Sequence, residues 1–466
     1  MLLSSCASSG GLKTQGQLRD AGSLSAGAAL GKVNVSDAAW PDDHWWTSLG
    51  DPQLDTLIAE ALASSPAIDA ADARTRKALA QSGLADATRK PTLGAGAQVL
   101  GLQIPETLAG DKIGGSFSVA ELLTLNLKYN PDLWGLDKAK WQAAVGNARA
   151  SEVDAQAARL TLAANIARTY VTLAQAFDGL DAANAEATRA DALVSLNQQR
   201  IKAGLDNTIA LNQNRSTSSS AKQQAQAAQQ QIDVLRNALA ALAGAGPDRG
   251  LQINRPTLAI PEITLPSRLP SDLLARRADI VAARWRVEAA AHGIDASEAA
   301  FYPTINLSMM VGLAAGNLGD LFGSKALLIN GGPGLTLPIF EGGRLRNQLM
   351  GSNADYDLAV ASYNQTLVGA IHDVTDAVQA GRALDAQIIT TRQARDTAGK
   401  AHALVQQRYR AGLATQLDVL AAQRPLLQLD QQLAALNAKR RTAVIDLDQA
   451  LGGGIAVDAP NTTASK

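Results

Sequence analysis

The chain has 466 residues, a net charge of −1 and an aromatic content of 4%. Nothing in that balance points to nucleic acid or another polyanion, and few aromatics among abundant Ala and Gln favour helices packed through small side chains over thick globular cores. No window reaches the ~18 apolar residues of a transmembrane helix, so any membrane crossing falls to strands.

The chain opens on Met1 and carries a single cysteine, Cys6. One cysteine excludes an internal disulfide and a cysteine-rich metal site. Its context, Leu3-Ser4-Ser5-Cys6-Ala7, resembles the lipobox of bacterial lipoproteins, in which Cys6 becomes the acylated (palmitate-bearing) first residue. The basic and apolar parts of a signal peptide are missing, so the start reads as truncated. The other reading is a free cysteine in a loose start. Residues 1–40 are taken as anchor plus a Gly/Ser/Ala-rich flexible tether.

Residues 41–91 hold Trp45 and Trp46 and then a helix over about 66–90, ended by Pro91, which lacks an N–H. Residues 92–130 read as a β-hairpin, with strands near 92–103 and 116–129. In the second of these Phe117, Val119, Leu123, Leu125, Leu127 and Tyr129 share one phase; Ser116, Ser118, Thr124, Asn126 and Lys128 share the other. A long helical hairpin follows over 131–243. Its first helix, about 137–203, carries Ile166, Leu173 and Leu180 every seven residues, with Tyr170 and Phe177 four residues behind, the spacing of a coiled-coil seam. Some 65 residues of helix span ~100 Å. Gly204 ends it as a left-handed C-cap. Five prolines mark 244–275 as a linker on a surface.

The second half repeats the first. The segment 276–303 holds a helix over about 276–300, ended by Pro303. A hairpin over 304–340 alternates Ile305, Leu307, Met309, Val311 and Leu313 with Thr304, Asn306, Ser308, Met310 and Gly312. Its partner strand is placed near 329–340, after a loop over about 314–328. A second helical hairpin covers 341–452, with Gly412 at its turn, and 453–466 form a tail. The sequence Q-Q-R-I-K-A-G-L at 198–205 recurs as Q-Q-R-Y-R-A-G-L at 406–413, offset by 208 residues. Arg74-Thr75-Arg76 answers Arg284-Trp285-Arg286, and Pro91-Thr92 answers Pro303-Thr304. Ordered matches at nearly one offset are the mark of a tandem duplication.

Two strands per copy give four per chain, of a length that suits a tilted membrane strand. Four strands cannot close, and an open edge in lipid leaves backbone groups unpaired. Two chains would supply eight strands and three would supply twelve. Eight-stranded barrels fill with their own side chains, whereas larger ones keep a lumen. Tyr129, Trp134, Phe301, Tyr302, Phe322 and Phe340 fall near strand ends, as in an interfacial girdle. A soluble β-hairpin layer with ordinary core aromatics has the same periodicity.

The motifs W-T-S-L-G-D-P-Q-L-D-T-L-I-A-E-A-L at 46–62, D-L-W-G-L-D-K at 132–138, L-P-S-R-L-P-S-D-L-L-A-R-R-A-D-I at 265–280, L-P-I-F-E-G-G-R at 337–344 and Y-R-A-G-L at 409–413 resemble the TolC family of outer-membrane efflux proteins, in its lipid-anchored subgroup. That resemblance covers nearly the whole chain. It implies a mainly α fold with a β-barrel portion: a homotrimer with a twelve-stranded transmembrane barrel on a periplasmic α-helical barrel, docked onto a periplasmic adaptor and an inner-membrane pump. It also implies a periplasmic gate at the hairpin turns, Gly204 and Gly412. There Leu417 would be an apolar constriction, Asp418 an acidic ring and Arg424 a partner across the helix interface. Some relatives carry further acids where this chain has Ala421 and Ala210, so charge closure is expected to be weaker or carried by Asp206 and Asn212.

No catalytic constellation competes. His44, His292, His372 and His402 are scattered, and His372-Asp373 with Asp376 has helical metal spacing but no further ligand. No cofactor, metal or nucleic acid is expected. The leading expectation is an exit duct without chemistry of its own. The alternative is a structural or adhesive periplasmic coiled-coil lipoprotein without a pore.

Overall fold

A computed structural model describes residues 11–24, 26–30, 40–103, 105–109, 115, 117–265 and 276–454. Cys6 and most of the 265–280 motif lie outside them. Seven helices exceed ten residues among the described residues: α1 (Pro52–Ser64), α2 (Pro66–Ala87), α3 (Leu136–Lys202), α4 (Thr208–Leu242), α5 (Ala278–Ala299), α6 (Arg344–Arg410) and α7 (Gln416–Ala450). The strands are β1 (Thr92–Gln103), β2 (Phe117–Tyr129), β3 (Thr304–Ala315) and β4 (Leu327–Thr336).

The duplication is visible in these bounds. Helices α3 and α6 are each 67 residues long, and α4 and α7 are each 35. All four starts and ends keep the 208-residue offset of the A-G-L elements. Helix α2 stops earlier than the sequence reading placed it, at Ala87, and α5 ends at Ala299, within a residue of its expected end. Each is four residues ahead of its proline. The proline ring clashes with the carbonyl of residue i−4 and pushes residue i−1 out of the helical region, so its breaking effect reaches back nearly a turn.

The chain divides into two compact units. One contains Arg74–Ser151 and Ala283–Tyr363. It holds the sheet, which is antiparallel and ordered β1-β2-β3-β4. Strand β4 ends at Thr336 rather than near residue 340, because Thr336 pairs with Thr304, the first residue of β3, and beyond it no partner backbone remains. The register puts residues of one phase on one face. Leu93, Ala95 and Ala97 of β1 lie opposite Leu127, Leu125 and Leu123 of β2. Those lie opposite Met309, Val311 and Leu313 of β3, and Val311 and Leu313 face Ile329 and Leu327 of β4. The other face carries Thr92, Gly94, Gly96, Asn126, Thr124, Ser308, Gly312 and Asn330. Glu121, opposite Val99 and Ala315, is the one acid on the apolar face. Strands β1 and β4 each leave one edge unpaired among the described residues. Pro333 sits on β4, where an edge strand tolerates a missing N–H. In the stretch expected to be a flexible tether, the Gln15 and Gly16 N–H groups donate to Asp357 of α6 at 2.9 and 2.6 Å, which fixes that stretch locally.

The other unit contains Arg19–Ala73, Glu152–Ala282 and Asn364 onward. Its core gathers the heptad residues Ile166, Tyr170 and Leu173 with Trp45, Trp46, Leu54, Ile58, Ile232 and Ile253. The seam of α3 therefore packs partly on α1 and on the inter-repeat linker. The Tyr170 hydroxyl donates to Asp51 Oδ2 at 2.8 Å and accepts from Gln53 Nε2 at 2.5 Å. Asp51 also caps α1 through Gln53 N and accepts from Thr257 N at 2.8 Å. Burial raises the Tyr170 phenol far above its ordinary range, so it stays a donor. Arg236 and Arg441 bind the linker carbonyls of Ile253 and Leu258 at 2.9 and 2.7 Å.

At the end of α7, burial and then the charge of Asp42 push the Asp448 carboxyl up to about 7. An acid with a raised folded-state value favours the folded chain at low pH and loses that favour as pH rises through about 4 to 7. Replacing Asp448 with Asn is expected to raise the melting temperature at pH 8 and to flatten its dependence between pH 5 and 8. An unchanged melting profile across that range contradicts this.

Candidate functional site

The A-G-L elements close both long helices alike. Gly204 has φ +73° and Gly412 φ +71°, a left-handed conformation that glycine adopts without a Cβ penalty. Leu205 N donates to Arg200 O and Leu413 N to Arg408 O, both at 2.8 Å, the six-to-one bond of a Schellman cap. The same two arginines donate from Nη2 to the Leu205 and Leu413 carbonyls at 3.4 Å. Cations at these carbonyl-rich helix ends also suit the helix dipole.

The return helices start differently. Asn207 caps α4, accepting from Ile209 N at 3.0 Å and Ala210 N at 3.4 Å. The acid of this turn is Asp206, which pairs with Arg200 Nε at 3.2 Å. Thr415 caps α7 in a reciprocal capping box with Asp418. Thr415 N and Oγ1 both donate to Asp418 Oδ2 at 2.7 Å, and Asp418 N donates to Thr415 Oγ1 at 3.3 Å. Ala210 stands where the duplication would place a second such acid. Hydrogen bonds from the Thr415 hydroxyl and N–H, and then the charge of Arg408, hold Asp418 below the usual carboxylate range. The Asn207 N–H and then Arg200 do the same for Asp206. In the first turn Arg200 of the last helical turn pairs with Asp206 of the loop, and in the second the charge of Arg408 acts on Asp418 at the start of α7.

Leu417 is 45% exposed beside Asp418, and its counterpart Ile209 is 66% exposed. With Leu205 and Leu413, also exposed, each turn presents two apolar side chains around a charged, capped backbone. Arg424 is not part of this group. It lies further along α7, in a groove with Glu186 of α3 and Ser216, Ser220 and Gln224 of α4. There Glu186 forks to Arg189 and is held below the usual range by Arg189 first and Arg424 after it. Glu186 and Arg189 were not singled out from sequence. In a polar helix an i,i+3 acid–base pair looks like any solvated pair, and only the burial of Arg189 (6% exposed) sets it apart.

The girdle aromatics Tyr129, Trp134, Phe301, Tyr302 and Phe340 all flank one end of the sheet, the end where Thr92 pairs with Lys128 and Thr304 with Thr336. Trp134 stacks on Tyr302 with centroids 5.0 Å apart and donates Nε1–H to Pro303 O at 2.7 Å. Phe340 is 90% exposed. Tyr129, Trp134 and Tyr302 of this cluster combine an apolar ring with a polar tip.

The model of the family described as outer membrane efflux protein matches residues 57–245 and 269–453. The chain belongs to that family. It is 38% identical over 361 residues to the fusaric acid resistance protein FusA of Burkholderia cepacia, covering 76% of this chain and 68% of that one. It is 31% identical over 429 residues to the pyoverdine export outer membrane protein OpmQ of Pseudomonas putida, covering 91% and 90%. Among solved structures, the outer membrane protein VceC of Vibrio cholerae superposes with a TM-score of 0.81 at 37% identity, covering 89% of this chain and 100% of that one. The protein is an outer-membrane efflux channel of the TolC type, the exit part of a tripartite system, and not an enzyme. Nothing in these likenesses supports the alternative of a poreless structural or adhesive lipoprotein.

The capping box predicts a local effect. Replacing Thr415 with Ala or Asp418 with Asn should raise amide exchange over residues 416–419 about tenfold, with the Asn207-capped start of α4 unaffected. A depressed carboxylate contributes above its unfolded value and is lost as pH falls through the folded one. The wild-type cap should therefore hold at pH 5 and loosen only below about pH 4. Equal exchange in variant and parent contradicts the assignment.

Proposed function

We propose that three copies of the chain close a twelve-stranded barrel in the outer membrane, with the helical hairpins in the periplasm meeting an adaptor and an inner-membrane pump. The carrying observation is the two-faced sheet with unpaired β1 and β4 edges. Lipid does not tolerate unpaired backbone groups, so another copy has to complete each edge. The Gly-, Ser-, Thr- and Asn-bearing face suits a wet lumen, and a barrel of twelve strands rather than eight leaves room for one. The lipobox-like context of Cys6 supports a lipid anchor to the same membrane.

The turns at Gly204 and Gly412 are the periplasmic tips, and the second is the gate. Three copies of Asp418 make an acidic ring and three copies of Leu417 an apolar constriction. The capping box gives the Asp418 carboxylate a fixed place at a helix start, which a ring needs. Arg424 acts in the groove beside Glu186 rather than on the ring. The cargo is a small organic molecule: relatives are named for fusaric acid and for pyoverdine.

Purified protein is expected to run as a heat-resistant trimer from outer-membrane fractions and to conduct in planar bilayers with cation preference. Asp418→Ala should raise the leak several-fold and reduce the selectivity. A monomer without conductance would sink the duct, whereas unchanged leak and selectivity in the variant would remove Asp418 from the gate.

A further inference from the structure

Helix α7 contains Pro425. A proline inside a helix has no N–H for the carbonyl of residue i−4, here Ala421, and its ring crowds that carbonyl. The helical continuity of α7 is therefore weakest between Ala421 and Pro425, two turns from the capped start at Thr415. The first repeat has no such break. The residue at the same offset in α4 is Thr217, whose hydroxyl donates to Gln213 O at 3.1 Å along an ordinary helix.

Side-chain ties to α7 differ on the two sides of this break. Beyond it, α7 is fastened to α6 by Arg395–Asp430 at 2.9 Å and by Arg440–Asp385 at 2.7 Å. Before it, one side chain from another helix hydrogen-bonds the segment Gln416–Arg424 among the described residues. Arg189 of α3 donates Nη1–H to the Leu420 carbonyl at 3.4 Å. Its remaining fork is held by Glu186, with Nε at 2.7 Å and Nη2 at 2.5 Å. Arg189 is buried, so its charge and donors have little water to fall back on. At the same offset in the second repeat stand Thr397 and Ala394, which cannot make this fork.

We propose that Arg189 is a positioning residue of the gate: it latches the segment Gln416–Arg424 to α3, and the proline break is the pivot on which that segment swings when the latch opens. The inference rests on the duct reading above and adds the residue that holds the tip and the place where it bends. An ordinary cross-helix ion pair would fix two helices along their length. This one grips a backbone carbonyl one residue from the carbonyl that the proline leaves without a donor. Arg424, next in the groove, adds its charge on Glu186 and so bears on the same acid that orients Arg189.

The test is conductance of purified trimers in planar bilayers, with vancomycin exclusion by cells as a second readout. Arg189→Ala is expected to raise open probability about tenfold. Arg189→Lys should restore only part of closure, since an ammonium cannot fork to Glu186 and reach Leu420 together. Pro425→Ala returns an N–H to the Ala421 carbonyl, and should at least halve the leak when added to Arg189→Ala. Should Arg189→Ala trimers not assemble, Glu186→Gln loosens the same fork without removing the guanidinium and should leak in the same direction. Assembled Arg189→Ala or Glu186→Gln trimers that stay as closed as the parent overturn the latch, and a leak indifferent to Pro425→Ala overturns the pivot. Absence of conductance in the parent under any condition would instead count against the duct itself.

Discussion

The structure turns on a backbone problem. Four strands lie in one antiparallel sheet with β1 and β4 at its edges, and each edge strand offers a row of N–H and C=O groups with no partner among the described residues. Water could satisfy them; lipid cannot. The apolar face formed by Leu93, Leu125, Val311 and Ile329 and their neighbours asks for lipid, and the edges ask for more strands. Both demands are met together only in a closed barrel of several copies. Proline at position 333 and the glycines around it weaken β4 as a template for indiscriminate pairing, which is how edge strands avoid aggregation before assembly.

Duplication supplies the parts, and small departures from it supply the function. The two long helices and the two return helices have equal lengths and equal offsets, and both turns use the same glycine, leucine and arginine. Most other positions differ between the halves, and a few of those differences bear on the candidate gate. Asp206 in the first turn pairs with Arg200 from the loop, whereas Asp418 in the second is taken up by Thr415 in the helix itself. Thr217 in α4 becomes Pro425 in α7. The first hairpin is thus capped and uninterrupted. The second starts in a reciprocal capping box and carries Pro425 two turns later inside a continuous helix, the basis of the proposed pivot.

Much of this was legible because it is periodic or conformationally singular. The seam Ile166, Tyr170, Leu173 announces a long helix, and Gly204 and Gly412 announce its end, since a left-handed cap leaves few other residues to choose. Strand phase was legible for the same reason, as a period of two sorts Leu307, Met309 and Val311 from Ser308 and Gly312. Strand ends were less so. Where β4 stops depends on where β3 begins, a fact of pairing that no local pattern carries. The breaking reach of Pro91 was underestimated because the clash acts on residue i−4, not only on the neighbouring residue.

The sequence marks the tip of the candidate site more plainly than the groove behind it. Leu417 and Asp418 sit next to one another in sequence and at the turn, so the turn itself points to them. Arg424 was expected from the resemblance as a partner across the helix interface, and it stands two turns further along, in the groove facing Glu186. The residues around it there come from α3, more than two hundred residues earlier, and from the polar Ser-rich face of α4. Similarly, Pro425 reads in sequence as one more residue in a Gln/Leu-rich helix. Its meaning appears only when the Arg189 guanidinium is found on the adjacent Leu420 carbonyl. A proline inside a helix weakens it locally, and beside a buried charged donor that weak point is where the proposed latch acts.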